Sequence, residues 1–137
     1  MGDIEAIKQL KARYFRTLDS KDWAGYRQVF TDDVVIDTTG SGGELITGAD
    51  AFLAYIRETL AGTTTVHHGH MPEITLTSET TATGIWALQD IVIWPGGMRL
   101  DGYGHYYETY EKGEDGWRIA TSKLTRLHTD FVFPEET

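Results

Sequence analysis

Three histidines of this sequence fall within four residues, at His67, His68 and His70. Histidine is the side chain whose ordinary pKa lets it accept and release protons near neutral pH. Such a cluster can hold a metal ion, or it can place one general base beside two structural neighbours. The rest of the chain has to decide between these possibilities.

A metal site is the weaker interpretation of this cluster. Side chains alternate along a β-strand, so His68 and His70 face one side and His67 faces the other. A zinc site needs three or four ligands, whereas the sequence offers no third ligand at a suitable spacing and contains no Cys. We therefore expect no metal, and structural or pocket-rim roles for His68 and His70.

A general base needs a carboxylate that fixes its tautomer and stabilises its charged form. The candidates are Asp19, Asp37 and Asp90. Asp19 follows the apolar face of a helical segment, where capping is the alternative role. Asp90 lies within an apolar strand, where an unpaired carboxylate is unfavourable, so we expect it to pair with a basic residue such as Arg126.

The spacing of apolar residues predicts the elements that position these side chains. A period of three to four predicts amphipathic helices in the first sixty residues, with Asp3 and Ser20 as expected N-caps. Alternation rich in Thr, Val, Ile, Tyr and Trp predicts strands from Thr64 onward. The predicted helices are 4–18, 20–30 and 48–60, and the predicted strands are 34–36, 64–77, 80–94, 99–111 and 116–128.

This order of elements predicts an α+β fold, because helices precede long strands without βαβ alternation. A strongly curved antiparallel sheet wrapped over about three N-terminal helices gives a cone with one open end. Such an opening is a natural site for a small molecule, and the aromatic residues predicted near it favour an apolar pocket. The Gly-rich loop 38–43 matches no nucleotide-binding fingerprint and is expected to lie on the surface.

Composition restricts the partners of the chain. Its 137 residues predict one domain, 1–137, and its formal net charge of −9 disfavours nucleic acid, whose binding depends on Lys and Arg. No basic run predicts a membrane surface and no signal peptide is evident, so we expect a cytoplasmic protein. The segment 84–94 is apolar on both faces, which favours a homodimer or homotrimer.

Several blocks of the sequence resemble SnoaL-like proteins of the nuclear transport factor 2-like superfamily. The helical stretch 4–23 is similar to their opening. The segments 66–74 and 79–90, together with the shorter blocks 110–112, 116–119 and 125–126, resemble the bile acid 7α-dehydratases among them. The pattern is nearest to the bacterial bile acid 7α-dehydratases and is also similar to scytalone dehydratases and hexachlorocyclohexane dehydrochlorinases. The resemblance implies the same cone-shaped fold and an elimination that needs neither a metal nor an organic cofactor.

The resemblance also implies the roles of individual residues. His67 would remove a proton from a carbon activated by a carbonyl, Asp19 would orient His67, and Tyr14 would donate a hydrogen bond to the carbonyl oxygen. Asp90 and Arg126 would complete the catalytic set. Residues expected to bind a hydrophobic substrate are Phe52, His70, Trp86, Tyr103 and His105.

Three features leave the substrate and the reaction open. His105 stands where the bile acid enzymes have an aromatic residue, and Leu18 and Thr38 replace two tyrosines of scytalone dehydratase. A dehydratase-type lyase acting on a hydrophobic, carbonyl-activated ring, steroid-like or polyketide-like substrate is the leading hypothesis. The same Asp–His pair also suits a ketosteroid-isomerase-like or polyketide-cyclase-like enzyme, and a pair without a cavity beside it would favour a non-catalytic binding domain.

Overall fold

Three α-helices and one 3-10 turn lie against a curved six-stranded sheet in the computed structural model, which describes residues 2–135. The predicted α+β fold is confirmed. The elements are α1 (Asp3–Asp19), α2 (Trp23–Arg27), β1 (Phe30–Asp37), the 3-10 turn (Thr39–Ser41), β2 (Leu45–Thr47), α3 (Ala49–Thr59), β3 (Thr64–Leu76), β4 (Thr81–Ile93), β5 (Arg99–Gly113) and β6 (Gly116–Val132).

The first two helices begin differently from the prediction. The Asp3 carboxylate does not cap α1; it accepts hydrogen bonds from the Lys112 ammonium and the Trp117 indole, each at 3.0 Å. Ser20 ends α1, and its hydroxyl bonds back to a carbonyl of that helix. The N-cap of α2 is Asp22, so both predicted caps are wrong because each side chain has a competing partner.

The strands run in the order β2-β1-β6-β5-β4-β3. The four long strands lie within a few residues of their predicted bounds. β1 pairs parallel with β6, however, so the prediction of a wholly antiparallel sheet is wrong at this one pair. Three-residue β2 was not predicted, because so short an edge strand leaves no alternating pattern to detect.

The inner face of the sheet forms the core together with α1 and α3. Along β4 the inward residues Trp86, Leu88 and Val92 are buried, while the outward residues Ile85 and Ile91 are only half-buried. The partly exposed apolar outer face agrees with the pattern that led us to expect a dimer or trimer, which stays a prediction. No helix among residues 2–135 combines the length and the apolar character needed to cross a bilayer.

Candidate active site

The carboxylate that ends α1 is hydrogen-bonded to the first histidine of the cluster. Asp19 Oδ1 lies 2.6 Å from His67 Nδ1, and Asp19 Oδ2 accepts the backbone N–H of His67 at 2.8 Å. The Thr65 hydroxyl donates a third hydrogen bond to Oδ1 at 2.9 Å. Strand β3 thus holds the carboxylate at three points, and the carboxylate in turn fixes the orientation of the imidazole ring.

This contact sets the tautomer of His67. An ionised carboxylate can only accept hydrogen bonds, so Nδ1 carries the hydrogen and Nε2 keeps its lone pair. Nε2 lies 3.9 Å from Asp90 Oδ2, and both residues line the same cavity. His68 and His70 are exposed on the other face of the strand. His67 is therefore the histidine of the cluster that is placed to act as a base in the cavity.

A second carboxylate reaches the site from the neighbouring strand. Asp90 pairs directly with His67 across β3 and β4, and Arg126 binds it in a two-pronged ion pair with N···O distances of 2.6 and 3.0 Å. A Cβ atom at Gly102, opposite Asp90 on β5, would clash with both side chains. The glycine therefore gives the ion pair the space that it occupies on the inner face of the sheet.

Ser41 is a site residue that the sequence analysis missed. Its hydroxyl accepts a hydrogen bond from Arg126 Nε at 3.0 Å, and its side chain lines the cavity. The segment 38–43 was expected to be a surface loop, but its 3-10 turn packs on β6. A polar residue between glycines was the only signal, and many surface loops share it.

A cavity of about 270 Å³ opens beside His67 and Asp90. Its walls come from all three helices, the 3-10 turn and the inner face of the sheet. Most of the lining side chains are apolar or aromatic, with few polar groups, which is the usual character of a small-molecule site. The lining residues are Tyr14, Leu18, Tyr26, Thr38, Ser41, Gly43, Phe52, Tyr55, Ile56, Thr59, Leu60, His67, Asp90, Val92, Trp94, Leu100, Tyr106, Leu124, Arg126 and Phe131.

Three buried tyrosines form one wall of this cavity. The ring centroid of Tyr14 lies 5.2 Å from that of Tyr26 and 5.8 Å from that of Tyr106. Burial raises the pKa of Tyr14 to about 12 and raises the pKa values of Tyr26 and Tyr106 well above the ordinary value. All three hydroxyls therefore stay protonated near neutral pH and are available as hydrogen-bond donors.

A buried ion pair lies behind these tyrosines. Lys11 Nζ donates to Glu108 Oε2 at 2.9 Å, with both side chains wholly inaccessible to solvent. The ammonium also lies 3.7 Å from the ring centroids of both Tyr14 and Tyr106, within cation–π range. Burial lowers the pKa of Lys11, and Glu108 opposes that shift. Lys11 thus packs against the Tyr14 and Tyr106 rings, while neither member of the ion pair lines the cavity.

Four of the residues expected to bind substrate do not line the cavity. Tyr103 and His105 lie on the outer face, because the inward positions beside them on β5 belong to Gly102 and Gly104. His70 lies on the outer face of β3, opposite to His67 in the alternation of that strand. The expectation for these three residues is corrected accordingly.

Trp86 does point inward, but its indole donates to the Tyr110 hydroxyl at 3.0 Å, outside the cavity lining. Its expected role is corrected as well. Phe52 alone of that group lines the cavity. The remaining candidate carboxylate, Asp37, accepts two hydrogen bonds from Thr39 and takes no part in the site.

Comparison with known sequences places the chain in a family. The family profile described as "SnoaL-like domain" matches residues 1–123. The chain belongs to the SnoaL-like family. A curated relative of this chain, named "Probable cyclase FGR4", comes from Gibberella zeae and is 24% identical over 134 residues, with 89% of each chain covered.

Solved structures share the fold of this SnoaL-like chain. A protein of Novosphingobium aromaticivorans described as an aromatic ring hydroxylase superposes with a TM-score of 0.89 at 21% identity, covering 95% of this chain and 93% of the other. A second protein of that organism, described as a scytalone dehydratase, gives a TM-score of 0.85 at 21% identity, covering 96% and 89%. At this level of identity the likeness shows the fold, and the reaction has to be argued from the site.

Proposed function

We propose that this protein is a cofactor-independent lyase that eliminates water from a hydrophobic ring compound activated by a carbonyl group. The proposal is carried by one observation: Asp19 holds Nδ1 of His67, so that the basic Nε2 is left at the wall of an apolar cavity. An oriented imidazole with a carboxylate behind it is the arrangement that general-base catalysis requires.

The reaction begins with proton transfer. His67 Nε2 takes the proton from the carbon next to the carbonyl, and the electron pair of that C–H bond becomes an enolate. Asp19 stabilises the imidazolium that forms. The Tyr14 hydroxyl, kept neutral by burial, donates a hydrogen bond to the enolate oxygen.

Elimination then completes the cycle. The enolate electrons form the carbon–carbon double bond as the C–O bond to the hydroxyl breaks, and the imidazolium returns its proton to the departing oxygen. The products are an unsaturated carbonyl compound, one molecule of water and the original state of His67. In this scheme the pair of Asp90 and Arg126 adds no net charge beside Nε2 and shapes the cavity wall.

The cavity supports this proposal over a non-catalytic Asp–His pair, since a purely structural pair needs no space beside its free nitrogen. Dehydration is also the reaction in the description given to one solved protein with the same fold. Isomerisation or cyclisation begins with the same proton transfer. These reactions are the second candidate, because one relative is named "Probable cyclase FGR4".

Product mass separates the two candidates. Neutral β-hydroxy ketones with one or two rings are incubated with the purified protein, and the products are analysed by mass spectrometry. We expect loss of one water from a converted compound. Conversion at unchanged mass would replace dehydration by isomerisation or cyclisation, and a His67→Ala protein tested in parallel controls for conversion without the enzyme.

A further inference from the structure

Tyr26 is a residue of the cavity wall that the proposed mechanism does not use, and its hydroxyl is buried without a hydrogen-bond partner within residues 2–135. Its side chain is fully buried on α2. It nevertheless lines the same cavity as His67 and Tyr14. Buried hydroxyl groups are almost always hydrogen-bonded, because an unpaired one loses its interaction with water and gains nothing in return.

The surroundings of Tyr26 explain why the protein itself offers no partner. Phe30 packs edge-on against its ring at 4.9 Å between centroids, and the Phe52 and Trp23 rings follow at 6.2 and 6.1 Å. The Tyr14 ring lies on another side, with its centroid 5.2 Å from that of Tyr26, and the two hydroxyls do not meet hydrogen-bonding geometry. These aromatic rings hold the hydroxyl in place without pairing it.

The charges around the cavity limit what could approach this hydroxyl. Arg126 is the one Lys or Arg among the described lining residues, and Asp90 already neutralises it through two hydrogen bonds. The Nε–H of Arg126 donates a hydrogen bond to the Ser41 hydroxyl. A carboxylate or phosphate of a ligand would therefore find no free cation, and it would lie near the negative charge of Asp90.

We propose that the substrate is an uncharged ring compound with a second oxygen, remote from the reacting carbonyl, and that this oxygen pairs with the Tyr26 hydroxyl. This inference rests on the proposed function, which places the reacting carbonyl at Tyr14. Tyr26 then selects substrates by a hydrogen bond at a second point. Sites that bind a substrate hydroxyl in this way discriminate strongly against analogues that lack it, because the buried protein group is left unpaired.

Binding of paired probes tests the proposal without turnover. The dissociation constants of 1-tetralone and of its 5-, 6- and 7-hydroxy derivatives are measured by calorimetry with the native protein and with Tyr26→Phe. We expect at least one hydroxy derivative to bind the native protein about three- to tenfold more tightly than 1-tetralone, the range of a single buried hydrogen bond. That advantage should disappear in Tyr26→Phe, whereas binding of 1-tetralone itself should change little.

The controls make every outcome decisive. Tyr107→Phe, which removes an exposed hydroxyl on the outer face, should leave the advantage intact, and thermal unfolding should show that Tyr26→Phe is folded. An equal advantage in the native protein and Tyr26→Phe, or no advantage for any derivative, would overturn the role of Tyr26. Binding of the anionic 6-carboxy derivative as tightly as 1-tetralone would overturn the restriction to uncharged ligands.

Combining these binding measurements with the dehydration assay of the native protein and His67→Ala separates this inference from the proposed function. If Tyr26→Phe abolished the binding advantage but the native protein dehydrated none of the compounds, the Tyr26 contact would stand and the lyase proposal would fail. If dehydration depended on His67 but Tyr26→Phe had no effect on binding, the lyase proposal would stand and the proposed Tyr26 contact would fail.

Discussion

Replacing His67 by Ala is expected to lower kcat by about 10²–10⁴-fold, the range that a positioned general base contributes. Among the lining residues that the structure describes, His67 alone presents a basic ring nitrogen with a carboxylate behind it, and the substitution removes that nitrogen. Because Nε2 acts in the transition state, we expect the loss in kcat and not chiefly in KM. Steady-state kinetics on a compound that the native protein dehydrates provide the measurement.

The neighbouring histidine supplies a matched control for this substitution. His68 lies one residue further along β3, exposed on the outer face, so His68→Ala should retain kcat within about twofold, the scale of a surface change remote from the site. If His67→Ala retained activity close to that of His68→Ala, the proposed mechanism would be wrong. Circular dichroism of both variants excludes a difference in folding as the cause.

Replacing Lys11 by Met is expected to lower the free energy of unfolding by about 3–5 kcal/mol, the cost of leaving one partner of a buried ion pair without the other. The side chains of Lys11 and Glu108 are wholly buried. In the variant the Glu108 carboxylate keeps the hydrogen bonds from the Ser122 and Tyr110 hydroxyls but loses its counter-charge. Equilibrium unfolding in urea measures the change.

Two further variants show whether charge is the cause of this destabilisation. Lys8→Met removes an exposed lysine one turn earlier on α1 and should change stability by less than about 0.5 kcal/mol. The double variant Lys11→Met/Glu108→Leu removes both charges and should recover a large part of the loss. A double variant less stable than Lys11→Met would show that the pair is not held by its charges.

The sequence predicted the elements of this site better than their exact surroundings. Three features of the sequence pointed to the site because their residue types are unusual at those positions. They are the histidine cluster, the carboxylate at the end of α1, and Asp90 in the middle of a strand. Strand alternation correctly separated His67 from its two neighbours. The direct pairing of Asp90 with Arg126 could be anticipated because an unpaired carboxylate is unfavourable within an apolar strand.

The errors share a physical cause, which is that local patterns do not record tertiary partners. On β5 Tyr103 and His105 were expected to line the cavity, but the inward positions beside them belong to Gly102 and Gly104. The ion pair beneath Gly102 and the backbone at Thr125 beneath Gly104 fill the space that side chains would need there. Tyr103 and His105 therefore face outward.

Similarly, Ser41 belongs to the site because it binds Arg126 on the distant strand β6. Tyr26 belongs to it because residues from several distant elements complete the cavity around it.

The tautomer of His67 is the most direct test of the account, and it needs no substrate. Two-bond ¹⁵N–¹H correlation spectra, recorded above the pH at which the ring loses its charge and assigned with His67→Ala, identify the nitrogen that carries the hydrogen. We predict hydrogen on Nδ1, where Asp19 accepts it, and a bare Nε2 facing the cavity. Hydrogen on Nε2 with a bare Nδ1 would contradict the assignment of His67 as the general base.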